Sequence, residues 1–262
     1  IVMCDNVKNI TMIQLRNVIK DYENIDIEFV DIRKKMHEFS ESFGQTVTDR
    51  QENRLYSGEF TLTIYFRLFI AELFPELDKA VYIDSDTVIN DDIAKLYSVD
   101  MGDAMFGAVR DTFAEKNTIL AHYIENVVGI ERNEYVNSGV LVMNLDKMRR
   151  THLADIFLKL MAEYHFDSVA PDQDYINAIC AKDIYFLDKE WNVMPNKGGE
   201  YMARPKLIHF NLFDKPWHYS EIPYEEYFWQ YAAESGFYPL LIKQREQYGD
   251  SERSADRENL KK

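Results

Sequence analysis

The chain has 262 residues, 46% of them apolar, and a formal charge of −15. That length fits one large α/β domain with at most a small appendage, and low glycine and proline content argues for a packed core over disorder. The acidity argues against a nucleic-acid backbone as partner, and no apolar run is long enough to span a bilayer, which leaves at most peripheral membrane contact.

In chain order, IVMC opens as a short buried strand, so an upstream segment is expected before Ile1. Residues 9–21 predict a helix with Ile13 and Val18 among its apolar positions, and IDIEFVDI (25–32) alternates as a strand. Residues 33–58 are mixed and polar, an excursion with a short helix. TLTIYFRLFIAELF (61–74) is too long an apolar span for a typical strand and closes at Pro75, so a helix is predicted. VYIDSDTVINDD (81–92) begins as a buried strand and ends in carboxylates, with a short helix near 91–97.

The strand AMFGAV (104–109) follows, then a helix over 114–128 and the strand VNSGVLVMNL (136–145). Helices are predicted over 146–165 and 172–181, and short strands at IYFL (184–187) and KLIHF (206–210). From Tyr224 the chain reads as helical and aromatic-rich, turning polar after Gln244. Strands alternating with helices predict an α/β fold with a largely parallel sheet and a site beyond the carboxyl ends of its strands. Cys4 and Cys180 lack metal-type spacing and read as reduced thiols of a cytoplasmic protein.

Carboxylates crowded at the mouth of a buried strand repel one another and lose hydration, so something must neutralise them. Asp84 and Asp86, two apart, could share one hard cation, or cap the helix near 91 as solvated turn acids. His209 ends a strand and could add a nitrogen ligand, which shifts preference from Mg²⁺ towards Mn²⁺; as a core histidine it would bond to backbone. Lys215 could supply positive charge to an anionic leaving group. Asn137-Ser138-Gly139 opens a strand where glycine lets a backbone or ligand come close. Asp172-Gln173-Asp174 after Pro171 suits a helix N-terminal turn, or could face a reacting centre. Arg67, in an apolar helix, should not be buried unpaired; it could meet a surface carboxylate, or reach a phosphate and the acid cluster.

Asp84-Ser85-Asp86-Thr87-Val88 after an apolar strand resembles the nucleophile motif of haloacid-dehalogenase-like phosphatases, in which Asp84 would attack phosphorus and Asp86 act as acid and base. That family needs a later strand followed by paired acids, and Gly249-Asp250 is the nearest candidate, in a polar tail. Taken together, IYFRLFIAELFP (64–75), YIDSDTVI (82–89), YVNSGVLVMNL (135–145), PDQDYINAI (171–179) and HFNLFDKPW (209–217) resemble family 8 of the retaining glycosyltransferases. The likeness lies with the bacterial, lipopolysaccharide galactosyltransferase-like branch.

The resemblance implies a GT-A nucleotide-sugar-binding fold, a mostly parallel Rossmann-like sheet flanked by helices, over residues 1–218, with a helical, aromatic-rich extension over 219–262. It implies a hexosyltransferase that holds Mn²⁺, with Mg²⁺ as the alternative, on the diphosphate of a UDP-sugar through Asp84, Asp86 and His209. UDP-glucose and UDP-galactose are the donors it suggests, with a saccharide, lipid-linked or protein-linked acceptor. Ser85 then lies at the nucleotide, Arg67, Asp111, Asn137, Asp172 and Gln173 contact the sugar, and Lys215 contacts the diphosphate. Asp172 and Gln173 stand nearest the reacting carbon, and both front-face substitution and a covalent intermediate stay open. A homo-oligomer is allowed, and a non-catalytic nucleotide-sugar-binding partner protein is the third reading.

Two departures stand out. The first strand and helix of that family, which contact uridine, have no counterpart in the given sequence, and IVMCDNVKNITMIQLRNVIKDY aligns with its second such unit. Leu212 stands where the HxxGxxKPW pattern of the family has glycine. The tail, with six Lys/Arg against five Asp/Glu over 243–262, is too balanced to bind anionic lipid strongly. The aromatic run Tyr219 to Tyr238 reads as packing for the C-terminal helix, with a carbohydrate platform as the alternative.

Overall fold

A computed structural model describes residues 1–5, 7–32, 34–35, 62–164, 168–195 and 201–259. Most of the polar excursion expected over 33–58 lies outside the described residues. The central sheet has four strands in the order β3 (Lys79–Ile83), β6 (Val136–Asn144), β5 (Phe106–Arg110) and β7 (Ile184–Phe186). Two further pairs stand apart from it: β1 (Val2–Cys4) with β2 (Phe29–Asp31), and β4 (Thr87–Ile89) with β8 (Leu207–His209).

The α/β class with helices flanking a sheet holds, and one strand amends the expected strand direction. β3, β5 and β7 run the same way, but β6 is antiparallel to both of its neighbours. Strand direction is set by how the 111–135 connection returns, which the alternating pattern does not encode. The reversal is what assembles the site. In an all-parallel sheet the entry of β6 would lie at the opposite edge from the exit of β3. Here Ile83 pairs with Val140, so Asn137, Ser138 and Gly139 lie beside Asp84.

Valine, leucine and methionine over Val140–Met143 continue a run of β6 that is buried from Val136 to Met143, as a strand covered on both faces requires. One face packs against Phe69, Phe157, Tyr175 and Ile176, the other against Leu96, Trp191 and Leu207. The apolar segment predicted as one helix over 61–74 is a 3-10 helix, Leu62–Phe69, followed by a short α-helix, Ile70–Leu73. The helix expected over 114–128 is divided at Asn117, whose side chain accepts from the Ile119 and Leu120 amides and so starts a second helix, Thr118–Tyr123. The one expected over 146–165 breaks into Leu145–Arg150 and Leu153–Tyr164 around His152, which is left-handed at φ 55°. Strand β4, absent from the sequence reading, is too short to show a period.

Beyond β8, Phe210, Ile222 and Tyr224 join Val88 and Ile208 in a separate apolar cluster. Phe228 lies against both Trp217 and Phe210, with ring centroids at 5.0 and 6.2 Å. The aromatic run therefore packs helix Glu225–Glu234 onto the site-bearing strand pair. Both cysteines are buried and free, and among the described residues no helix is long and apolar enough to cross a membrane.

Candidate active site

Two backbone bonds hold the Asp84–Asp86 turn in place. The Asp84 amide donates to Gly139 O on β6 at 2.8 Å, and the Phe210 amide, just after β8, donates to Asp86 O at 2.9 Å. Thr87 pairs with His209 in the β4–β8 ladder. Asp84, Asp86 and His209 thereby come together, each offering one ligand atom, and these atoms lie within 4.8 Å of one another. His209 Nε2 is 3.3 Å from Asp86 Oδ1 and 3.7 Å from Asp84 Oδ2.

Two carboxylate oxygens and one imidazole nitrogen suit a divalent cation that accepts mixed oxygen and nitrogen ligands, as Mn²⁺ does. The packing around them fits that use. A Cβ on Gly139 would lie 2.1 Å from His209 Cε1 and 2.8 Å from Asp84 Oδ2, so only glycine lets the ring lie against β6. The group that approaches this glycine is the histidine itself.

The two oxygens of Asp84 are used differently. Oδ1 accepts from the Tyr82 hydroxyl at 2.7 Å and from Arg67 Nη2 at 3.0 Å, while Oδ2 faces His209. Arg67 is almost fully buried, and its other nitrogens are also engaged. Nη1 donates to Ser138 O at 2.7 Å, and Nε lies 3.0 Å from Asp172 Oδ2 in an ionic contact not aligned as a hydrogen bond. The guanidinium sits 4.5 Å over the Tyr82 ring. Burial alone would lower its pKa, but Asp172 and Asp84 outweigh that and raise it above its ordinary value. Of the two partners the sequence allowed for Arg67, a surface carboxylate or the acid cluster, the structure shows the cluster: Asp84 and Asp172.

Lys215 Nζ donates to Asp86 Oδ2 and to Phe210 O. Burial would raise the Asp86 carboxyl, but His209 and Lys215 hold it well below the usual carboxylate range. Three residues earlier, Leu212 adopts the left-handed conformation at φ 56°. That is the backbone state glycine enters without cost, which gives the family glycine at this position a physical reason. Leu212 is 40% exposed, so its side chain finds room by pointing out.

Helix Pro171–Cys180 supplies the other wall, with proline in its first turn and two acids behind it. Asp172 is buried, and its Oδ2 accepts from Ser138 Oγ at 2.7 Å. Burial pushes its carboxyl up, against the opposing pull of Arg67 and Ser138. Gln173 Oε1 accepts from Asn137 Nδ2 at 3.0 Å and the Ser138 amide at 3.1 Å. Its Nε2 donates to Asp111 Oδ2 at 3.2 Å. Asp111, just past β5, also caps helix Thr112–Lys116 by accepting from the Ala114 amide. Ser85 stands exposed between the two acids, outside this network. Asp91 and Asp92 are helix-start acids, Asp92 capping helix Ile93–Tyr97.

Two buried asparagines complete the site without having been singled out. Asn177 pins the helix to β6, its side chain accepting from the Val136 amide and donating to Val136 O, both at 2.8 Å. Its four-residue spacing from Gln173 places both on one helix face, a signal that was available. Asn192 bridges Asn137 and His209, and nothing local in Glu190-Trp191-Asn192 announces that.

A model of the glycosyl transferase family 8 matches residues 1–221. Glycosyltransferase GlyF of Streptococcus pneumoniae is 25% identical over 249 residues, covering 85% of this chain and 59% of that protein. The chain spans between 40% and 78% of the length of the first curated relatives it matches. Among solved structures, the apo WbbM bifunctional glycosyltransferase superposes with a TM-score of 0.74 at 22% identity, over 93% of this chain and 45% of that one. Galactosyltransferase LgtC, solved with donor and acceptor sugar analogues, gives a TM-score of 0.63 at 20% identity, over 97% of this chain and 87% of that one. At these identities the likeness establishes the fold, a GT-A-like arrangement.

Proposed function

The chain belongs to glycosyl transferase family 8, and on that premise we propose that it moves a hexose from a UDP-sugar to a saccharide or glycoconjugate acceptor. UDP-glucose or UDP-galactose is the donor in this reading, and the anomeric configuration is retained. The observation that carries it is the convergence of Asp84, Asp86 and His209 at the edge that also holds Asp111, Asn137, Asp172 and Gln173.

Asp84, Asp86 and His209 are the residues that would hold Mn²⁺, with Mg²⁺ as the alternative. When bound, such a cation supplies charge neutralisation for a departing nucleoside diphosphate. The chain's own residues do the rest. Arg67 ties Asp84 to Asp172 and so fixes the metal side against the sugar side. Lys215, held beside Asp86, would add positive charge to stabilise a leaving diphosphate there. Asp172 and the Gln173 carbonyl, held by Ser138, Asn137 and Arg67, would offer negative charge and dipole to the positive charge that develops at the anomeric carbon.

The test is a hydrolysis screen of UDP-glucose and UDP-galactose with Mn²⁺, on wild type and Gln173→Ala. Cleavage of one donor that falls about 100-fold in the variant is expected. Tight UDP binding with no turnover by the full-length protein would instead mark a binding partner. The phosphatase reading has lost its support, since Asp250 begins helix Asp250–Asn259 instead of following a strand. Phosphate release from a phosphomonoester, lost in Asp84→Asn, would revive it.

A further inference from the structure

Asn192 caps the 3-10 turn Lys189–Trp191 and is 2% exposed. Its side-chain amide touches one residue from each half of the site. One end lies 2.8 Å from Asn137 Oδ1 and the other 3.1 Å from His209 Nδ1. Oxygen and nitrogen of an amide look alike and either imidazole nitrogen can carry a proton, so the direction of such bonds must be deduced from groups that cannot exchange roles.

Two backbone amides provide that. The Ser138 N–H donates to Gln173, so the receiving atom is the carbonyl oxygen Oε1, and Asn137 must turn its Nδ2 towards that same oxygen. Independently, the Gly139 N–H donates to Asn137 at 3.0 Å, which identifies the receiving atom as Oδ1. Both amides of Asn137 and Gln173 are thereby oriented, and they agree. An acceptor at Asn137 Oδ1 requires a donor from Asn192, so Asn192 presents Nδ2 to Asn137 and its oxygen to His209. The His209 nitrogen facing that oxygen, Nδ1, then carries a proton. The remaining nitrogen, Nε2, is the one that faces Asp84 and Asp86.

We propose that Asn192 is a positioning residue for His209. It fixes Nδ1 as the protonated nitrogen and aims Nε2 at the two carboxylates, so that Nε2 is the ligand atom given to a divalent cation. A carbonyl that accepts from the far nitrogen of a ligating histidine both orients the ring and strengthens its basicity, and losing such a partner typically weakens metal binding about 10- to 100-fold. The hydrogen bonds run without a break from Asp111 through Gln173, Asn137 and Asn192 to His209, so one string orients both the sugar wall and the metal group. The inference rests on the metal reading proposed above.

The test combines ¹⁵N NMR of the histidine rings with titration of Mn²⁺ alone, without nucleotide or turnover. In wild type His209 Nδ1 is expected to be protonated both in the metal-free protein and with diamagnetic Mg²⁺ present; a deprotonated Nδ1 overturns the proposal, whatever Mn²⁺ does. Asn192→Leu should weaken Mn²⁺ binding about 10- to 100-fold. Asn192→Asp, which keeps an acceptor for Nδ1–H and loses the donor to Asn137, should bind within about threefold of wild type and keep the Nδ1 proton. Equal losses in both variants, or no loss in Asn192→Leu, would mean that Asn192 only packs. Failure of wild type to take up Mn²⁺ would sink the metal reading, while the Nδ1 signal still decides what Asn192 does to the ring.

Discussion

Gly139→Ala is a one-methyl change that reaches both His209 and Asp84. The added Cβ would lie 2.1 Å from His209 Cε1, 2.7 Å from His209 Nδ1 and 2.8 Å from Asp84 Oδ2. Non-bonded carbons rest at about 3.5 Å or more, so the ring or the strand must give by roughly 1.4 Å. Neither can do so cheaply. The ring is 3% exposed and bonded to Asn192, its backbone is paired to Thr87, and Gly139 lies in a strand paired to β3. Overpacking on this scale costs about 1–3 kcal/mol, a fall of roughly 5 °C in Tm for a chain of this size. A ligand displaced by about 1 Å costs on the order of 100-fold in activity. Isothermal titration of Mn²⁺ and a thermal melt should therefore show weakened metal binding together with a modest loss of stability. Wild-type Mn²⁺ affinity in Gly139→Ala, at an unchanged Tm, would refute the close packing of His209 on β6.

Arg67→Gln leaves Asp172 and Asp84 without their shared counter-charge and should cost about 3–5 kcal/mol in urea unfolding, as broken buried pairs do; a loss under about 1 kcal/mol, the value for a surface pair, would contradict it. Burial pushes the Glu72 carboxyl up to about 7, and among the described residues its buried Oε2 has no hydrogen-bond partner. The fold then holds this proton to higher pH than the unfolded chain does, so the Glu72 contribution is most favourable below the ordinary value of 4.5 and declines as pH rises to about 7. Glu72→Gln should flatten the fall in Tm across that window, and an unchanged pH profile counts against it. Leu212→Gly relieves a left-handed residue at φ 56°, a strain of about 1–2 kcal/mol that glycine's extra unfolded-state entropy partly offsets. Chemical denaturation should find it neutral to about 1 kcal/mol more stable, and a clear destabilisation would mean that the Leu212 side chain packs.

Much of this site was readable because it is made of short periodic segments with distinctive ends. Val81-Tyr82-Ile83, half-buried and running into Asp84 and Asp86, and the buried Leu207-Ile208-His209 are strands that stop at polar groups, and they place the Asp84–Asp86–His209 cluster. Pro171 followed by acids marks a helix start. What was not readable depends on long-range pairing. The direction of β6 is decided by a connection, and that direction alone sets Asn137 beside Asp84. Lys215, expected at a diphosphate, sits on Asp86 across 129 residues of sequence. Asn192 and Asn177 act through single side-chain amides that leave no pattern in the chain. Leu212 was visible as a departure, but only the backbone angle explains what glycine does there.

In the proposed reading Asp84, Asp86 and His209 form a cation site that serves a nucleotide diphosphate. Its most direct test is the affinity of wild type and Asp86→Ala for UDP, measured by isothermal titration with and without Mn²⁺. Mn²⁺ should tighten UDP binding at least about tenfold in wild type, a shift of about 1.4 kcal/mol, and do nothing in a folded Asp86→Ala. Equal UDP affinity with and without Mn²⁺ in wild type would contradict it.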